Sequence, residues 1–232
     1  MNRRAVRLAC AVVALSLAAC QPLSDLGFDR RPVYIGEPID GSTRGRLLKA
    51  TQDPQACAAW LAAAGLTFRP VADRSEGRYC QVVGAGNLVD ATPAIDPPLS
   101  PARPMMACDL AAAVAIWRRQ SVEPAARELL GADVRRIDHL GVYACRGVGD
   151  PVTGRPSAHA QAKAIDIAGF RLSNGRRITV ETDWSGQGAE ARFLRRIRDD
   201  GCRLFGVTLS PDYNAAHANH LHLEMGRGGL CS

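Results

Sequence analysis

Hydrophobic and polar positions along the chain predict helices and short strands in alternation. Within residues 107–120, apolar side chains recur every three to four positions, which is the period of a helix with one buried face. The same spacing predicts helices over residues 124–130 and 189–200. A fourth helix is predicted from Asp53, a capping residue followed by a proline, to Gly65.

Short apolar runs between these helices predict strands, and Asn174-Gly175 predicts a type I′ hairpin turn that pairs residues 164–172 with 176–182. Helices and hairpins alternate without the spacing of parallel strand-helix-strand units. The pattern therefore favours an α+β fold with an antiparallel central sheet flanked by helices. The predicted strands are residues 79–83, 136–145, 164–170, 204–209 and 220–225.

The first twenty residues differ from the rest of the chain. Three arginines precede an apolar run over residues 8–19, which is too short to span a bilayer. The run ends in Leu17-Ala18-Ala19-Cys20, which resembles a bacterial lipobox and predicts a signal peptide over residues 1–19 with lipidation at Cys20. An ordinary secretory signal is the alternative. Gln21 after the cysteine favours the outer membrane over retention at the inner membrane.

Composition places a linker over residues 20–50, which are rich in proline, glycine and arginine. Five prolines within residues 91–104 predict a loop that separates an N-terminal part of the domain, residues 51–104, from the main domain, residues 105–232. Removal of the signal peptide lowers the formal charge from +6 to +3, because it takes away three arginines and no acid. Neither charge nor motifs indicate nucleic-acid binding, and a monomer is expected.

Six cysteines remain after the signal peptide, and an even number in an exported chain predicts three disulfides. The pairing cannot be read from the sequence; we take the sequential pairing of these six as the working hypothesis. Each bond would stabilise the fold by roughly 3 kcal/mol. A cysteine-rich metal site is disfavoured because the chain has no Cys-x-x-Cys pair. The six are Cys57, Cys80, Cys108, Cys145, Cys202 and Cys231.

Histidines and one aspartate near the C-terminus have the spacing of a metal site. His220 and His222 lie two apart in a predicted strand and therefore point to one face. His159 precedes Asp166, which is flanked by isoleucines and is costly to bury unless a cation neutralises it. Two imidazoles and one carboxylate are typical of catalytic zinc, although Asp166 on an exposed edge strand is the alternative.

These motifs resemble a known family. His-x6-Asp followed by His-x-His is similar to the zinc peptidases that group lysostaphin-type enzymes, D-Ala-D-Ala metallopeptidases and hedgehog domains. More closely, residues 108–231 resemble the bacterial extensin-like protein C-terminal domain. The matching stretches are Pro124-Ala-Ala-Arg127, His139 to Arg146, Ala164-Ile-Asp166-Ile, Cys202-Arg-Leu-Phe-Gly206, Pro211 to His217 and His220-Leu-His222.

The resemblance implies roles for individual residues. His159, Asp166 and His222 would bind Zn²⁺. His220 would be the general base or stabilise the tetrahedral intermediate, and Arg146 would stabilise oxyanion charge at the scissile carbonyl. A solvated surface charge is the alternative for Arg146.

Some positions depart from the family pattern. Ala158 and Ala162 stand where the family commonly has glutamate and glycine, and Asn219 replaces the glutamate base of D-Ala-D-Ala dipeptidases. Glu224 is an alternative base or a partner of a ligand. His217 is as suited to orienting a ligand as to capping a loop. His139 is expected to be structural. Asp212 and Tyr213 either form part of a turn or line the cleft.

Together these patterns predict a zinc metallopeptidase that cleaves peptide bonds in peptidoglycan stem peptides or cross-links. Its expected partners are peptidoglycan and, through lipidated Cys20, the membrane, and its expected location is the periplasm. The main alternative is a non-catalytic zinc-binding lipoprotein of the cell wall, which the alanine at position 158 keeps open. A structural lipoprotein held by disulfides, without metal, is the third reading.

Overall fold

The computed structural model describes residues 31–77, 79–89, 97–148 and 155–232. The predicted signal peptide, residues 1–19, and the predicted lipidation site Cys20 lie outside the described residues, as do residues 20–30 of the predicted linker. No helix in the described ranges is long and apolar enough to cross a membrane.

Helices and strands alternate along the chain as an α+β protein. The helices are α1 (Thr43–Ala50), α2 (Pro54–Ala63), α3 (Cys108–Trp117), α4 (Glu123–Leu130), α5 (Val180–Asp183) and α6 (Ala189–Leu204). The first seven strands are β1 (Thr67–Pro70), β2 (Arg74–Glu76), β3 (Cys80–Val82), β4 (Ala85–Val89), β5 (Leu99–Ser100), β6 (Met105–Ala107) and β7 (Val134–Gly141). The others are β8 (Gly147–Val148), β9 (Arg155–Pro156), β10 (Ala164–Leu172), β11 (Arg177–Thr179), β12 (Val207–Leu209), β13 (Leu221–Glu224) and β14 (Leu230–Cys231).

The largest sheet has the strand order β14-β12-β13-β10-β7-β5. Its inner pairs are antiparallel, whereas β5 joins β7 and β14 joins β12 in parallel. Strand β10 has nine residues, and two strands pair along the same edge of it. Strand β13 pairs with its first half and β11 with its second half. Smaller sheets are formed by β1-β4-β6, β2-β3 and β8-β9.

The hairpin predicted around Asn174-Gly175 is present, but its turn is not of type I′. Gly175 has a φ of +83°, while Asn174 is not among the residues with positive φ, and a type I′ turn needs positive φ at both positions. Leu172 N–H donates to Arg176 O, so the loop has three residues and ends in a left-handed glycine. The segment after it also turns into helix α5 rather than continuing as a strand to residue 182.

One hydrophobic core joins both parts of the chain. Helix α3 is buried along its whole length, and Phe170 of β10 packs edge-on against Phe193 of α6 at 5.1 Å between ring centroids. The helix continues beyond Trp117 through one wider, π-helical turn into α4, which ends at Gly131 with a φ of +64°. Residues 108–130 therefore form a nearly continuous helical segment.

The predicted linker over residues 20–50 is wrong for its final part. Asp40 accepts hydrogen bonds from the backbone N–H groups of Ser42 and Thr43 at 2.8 and 3.0 Å, which starts helix α1. Leu47 and Val33 are buried in the same core as α3. The helix was missed because its sequence, rich in arginine and with an internal glycine, has weak periodicity, and its burial depends on contacts distant in sequence.

Two of the three sequential disulfides are also wrong. The bonds join Cys57 to Cys108 and Cys80 to Cys145, while the pairing of Cys202 with Cys231 is confirmed. The strand pairing of β4 with β6 explains the first, since it brings the start of α3 beside α2. Because β6 also pairs across the proline-rich segment, residues 51–104 are not separate from the main domain.

Candidate metal centre

Strands β10 and β13 of the largest sheet place an aspartate and a histidine side by side. Asp166 of β10 lies directly opposite His222 of β13, and Leu209 of β12 lies opposite His222 on the next strand. Side chains at directly opposite positions share one face of a sheet. The flanking Ile165 and Ile167 point to the other face, where they are fully buried. Alternation along β10 therefore turns one carboxylate out of an otherwise apolar strand.

His159 reaches the same point from a short 3₁₀ turn, Ala158–Gln161. Ser157 caps the turn by accepting from the N–H of His159, and Ala162 ends it with a φ of +54°. The resemblance places a glycine at position 162, and the left-handed backbone explains that preference. The N–H of Ala144 donates to His159 O, and Cys145 beside it is bonded to Cys80.

The side chains of His159, Asp166 and His222 converge on one point. His159 Nε2 lies 3.3 Å from Asp166 Oδ2 and 3.3 Å from His222 Nδ1, and His222 Nδ1 lies 2.9 Å from Asp166 Oδ1. The imidazoles are 3% and 9% exposed. Bonds of about 2 Å from each donor to a common ion are compatible with these separations. They form the group of potential metal ligands found among the described residues.

The remaining ring nitrogens of both histidines have acceptors. His159 Nδ1 lies 2.8 Å from the carbonyl of Val142, and His222 Nε2 lies 3.3 Å from Glu224 Oε2. When a metal replaces the protons shared with Asp166, an N–H donated to each of these acceptors would leave His159 Nε2 and His222 Nδ1 with lone pairs directed at the shared point. Acceptors of this kind orient metal-binding histidines in proteins and raise their basicity.

Charge is unevenly distributed within this cluster. Burial by itself raises the pKa of Asp166, but hydrogen bonds from His159 and His222 outweigh it and hold that pKa below its usual range. Burial lowers the pKa of His222, yet hydrogen bonds to Asp166 and Glu224 raise it to about 9. In the absence of a cation, His222 is therefore an imidazolium between two carboxylates near neutral pH.

His220 lies beside the three converging residues and differs from them in charge. Its Nε2 lies 3.5 Å from Asp166 Oδ1, and its Nδ1 lies 2.8 Å from Asn219 Oδ1. Burial, with the positive groups around it, lowers its pKa although Asp166 opposes the change. The ring is thus neutral at pH 7, and with Nδ1–H donated to Asn219, its Nε2 keeps a lone pair.

His217 completes a row of imidazoles along the loop between β12 and β13. Its ring centroid lies 5.1 Å from that of His220 and 5.5 Å from that of Tyr213, and its Nδ1 lies 2.7 Å from Asn214 Oδ1. The loop is fixed by Trp184, whose indole N–H donates to Asp212 at 2.8 Å. His217 therefore caps this loop through Asn214, and its ring centroid lies 5.9 Å from that of His222; that it orients a ligand stays a prediction.

A cavity of about 690 Å³ opens over the cluster. The predicted residues that line it are His159, Asp166, His220, His222 and Arg146, with His217, Tyr213 and Glu224. Burial is the main cause that lowers the pKa of His217 and His220, and the neighbouring histidines and then Arg146 lower it further. Arg155 also lines the cavity but was missed by the sequence reasoning, because a lone arginine in a short segment has no distinguishing pattern.

His139 lies apart from this cavity. It is buried, its Nε2 lies 2.8 Å from the carbonyl of Pro101, and burial lowers its pKa. A neutral ring that bonds to the backbone agrees with the structural role expected for it.

The fold and site define an α+β protein with two histidines and an aspartate at the floor of an open cavity. A sequence model of the family described as extensin-like protein C-terminus matches residues 55–232. The chain belongs to this family, and the match begins well before the residues that carried the resemblance. Searches of curated proteins and of solved structures gave no match.

Proposed function

We propose that this chain is a zinc metallopeptidase that cleaves peptide bonds in peptidoglycan stem peptides or cross-links. The observation that carries the proposal is the convergence of His159, Asp166 and His222 at separations of 2.9 to 3.3 Å beneath an open cavity. The proposal includes kinship with the fold of D-Ala-D-Ala metallopeptidases and hedgehog domains, for which the shared ligand pattern is the support.

The donors present fit a zinc ion. Two imidazole nitrogens and one carboxylate are a common set in catalytic zinc sites, and such sites leave a further position open toward the substrate. His159 Nε2, the Asp166 carboxylate and His222 Nδ1 would hold the ion. When bound, zinc lowers the pKa of a bound water to about 7 and polarises a carbonyl group.

The chain supplies a base and an oxyanion partner around this position. Neutral His220, with Nδ1 held by Asn219, has Nε2 available to accept a proton from an attacking water and to return it to the leaving amine. The guanidinium of Arg146, which lines the same cavity, is suited to the negative charge that develops on a carbonyl oxygen. Glu224 is held at His222 Nε2, which favours a role as its partner rather than as the base.

The remaining parts of the proposal concern location. The lipobox-like Leu17-Ala18-Ala19-Cys20 supports a periplasmic lipoprotein anchored to the envelope at Cys20, with the outer membrane as the favoured membrane. Three disulfides agree with an oxidising compartment. This location would bring the site to peptidoglycan.

Digestion of purified peptidoglycan tests the proposal. The zinc-loaded chain should release muropeptides; His220→Gln should lower the rate by about 10² to 10⁴, and Arg146→Gln by about 10² to 10³. Arg177→Gln is the matched control for charge, because Arg177 is an exposed arginine on β11 that does not line the cavity. Bound zinc without released products at any pH would favour the non-catalytic wall protein. A chain that retains no zinc would exclude both.

A further inference from the structure

The cavity over the metal centre has a wall that the proposed chemistry does not use. Arg155 and Val148 lie opposite each other in the β8-β9 hairpin, and both line the cavity. Ser157, two residues after Arg155, also lines it, so alternation along this short strand turns Arg155 toward the cavity. The N–H of Ser157 donates to Arg146 O, which ties the two arginine-bearing segments together.

Among the residues that the structure describes, neither arginine of the cavity, Arg146 or Arg155, has an ionic or hydrogen-bond partner for its side chain. Arginines elsewhere, such as Arg136 and Arg203, lie 2.7 and 3.0 Å from aspartates. The acidic residues of the cavity are Asp166 and Glu224, and both contact His222. Among the described residues, the negative charge of the cavity is thus already engaged, while the Arg155 guanidinium remains for a ligand.

Apolar side chains stand around this positive wall. Three of the six large hydrophobic residues that are exposed in the described part line this cavity: Val148, Tyr213 and Leu230, at 49%, 44% and 46% exposure. Exposed apolar groups gathered at one concave site, with a few convergent polar groups, are typical of a binding site. The floor adds Val207 and Leu209 from β12.

The cavity also continues past Arg155. A second cavity of about 360 Å³ shares Val148, Arg155, Ala158 and Glu224 with the first and adds Pro156 and Gln161. Arg155 therefore lines both cavities, at their shared wall. A ligand longer than the scissile bond would extend along this wall and pass the Arg155 guanidinium.

We infer that Arg155, next to the Arg146 that the proposed chemistry uses, binds a carboxylate of the substrate, and that the substrate is a peptide with a free carboxylate close to the bond that is cut. The inference rests on the proposed function and names its substrate class. A planar guanidinium matches a carboxylate with two parallel hydrogen bonds. The carboxylate is supplied either by the C-terminus of the peptide or by an acidic side chain, and Arg155 is the residue that determines the preference.

Binding of a set of four short peptides to the whole chain tests this inference. The probes are an N-acetylated alanine-rich tetrapeptide with a free C-terminus, its C-terminal amide, the amide with one glutamate, and the amide with glutamine in its place. Calorimetry is run on the metal-free chain and on zinc-loaded His220→Gln. Use of the metal-free chain separates this inference from the proposed function, since carboxylate preference there does not depend on zinc or on turnover.

The wild-type chain should bind one of the two carboxylate peptides at least about tenfold more tightly than its amide partner, because a charged hydrogen bond contributes about that factor. Arg155→Gln should remove the preference and leave the amide peptides unchanged; Arg155→Lys should restore it in part, and Arg177→Gln should have no effect. The member of the set that shows the preference identifies the source of the carboxylate. Equal affinity of the wild-type chain for carboxylate and amide peptides, or equal losses in Arg155→Gln and Arg177→Gln, would overturn the inference.

Discussion

Zinc binding to this chain should release a proton from His222, and the affinity should therefore rise with pH. In the metal-free site, hydrogen bonds to Asp166 and Glu224 overcome the effect of burial and raise the pKa of His222 to about 9. Coordination through Nδ1 requires that nitrogen to lose its proton. The ion must therefore compete with a proton at the nitrogen that lies 2.9 Å from Asp166.

The size of this competition follows from the pKa. At pH 7 about one His222 ring in a hundred lacks the proton, which lowers the apparent zinc affinity about 100-fold, or by about 2.7 kcal/mol. The affinity should rise about tenfold per pH unit from pH 7 and level off near the pKa of about 9. Asp166 adds no slope in this range, because its pKa lies below the usual value.

Competition with a chromophoric chelator, measured from pH 7 to 9.5, gives the change in zinc affinity per pH unit. Calorimetry at pH 7 in buffers of different ionisation enthalpy gives the proton count, and about one proton per zinc is expected. Glu224→Gln removes one of the groups that raise the pKa of His222, so the affinity of this variant should reach its plateau at lower pH and rise by a smaller total factor. A flat affinity between pH 7 and 9, or release of no proton, would refute this account of His222.

Three further predictions concern the stability of the metal-free chain. The pKa of His222 is raised from its ordinary 6.5, so protonated His222 adds about 3 kcal/mol to the free energy of unfolding. This stabilisation is fully present below pH 6.5 and is lost as the pH rises through about 9. The difference between the free energies of urea unfolding at pH 6.5 and at pH 10 measures it. Replacing Cys57 and Cys108 together by alanine should cost about 4 kcal/mol in the same assay, since the bond closes a loop with a sequence separation of 51. Phe170→Ala should cost about 3 to 5 kcal/mol, because this ring is fully buried.

Each of these predictions has its own control. His222→Gln should lose most of the alkaline destabilisation, and an unchanged pH dependence in that variant would assign the effect to another group. Peptide mapping of the unreduced chain should recover Cys57 linked to Cys108; a fragment that links Cys57 to Cys80 would contradict the disulfide pairing. Phe170→Leu should cost less than the alanine variant, and equal losses would argue against packing as the cause.

The ligands of the candidate site were predictable because strand geometry has a short period. His222 in β13, two positions after His220, and a lone aspartate between isoleucines in β10 each imply a defined face, and antiparallel pairing puts Asp166 opposite His222. His159 could not be placed from strand period alone, because it lies in a short turn and its ring Nδ1 is held by the carbonyl of Val142. The resemblance supplied that third residue.

Features set by distant contacts were not predictable in this way. The partner of Cys57 depends on how β4 and β6 pair, and helix α1 depends on the burial of Leu47 against a core that its own sequence does not indicate. Arg155 belongs to a two-residue strand whose partner is equally short. Local patterns carry no information on such contacts, so these features required the three-dimensional structure.

X-ray absorption at the zinc edge, on the purified chain loaded with one equivalent of zinc, tests the central claim most directly. The account predicts one tightly bound zinc with two imidazole nitrogens and a carboxylate oxygen at about 2.0 to 2.2 Å, and no sulfur. Asp166→Ala should lose that spectrum while the circular dichroism of the chain is retained. A chain that binds no zinc, or a zinc spectrum unchanged by the loss of Asp166, would contradict it.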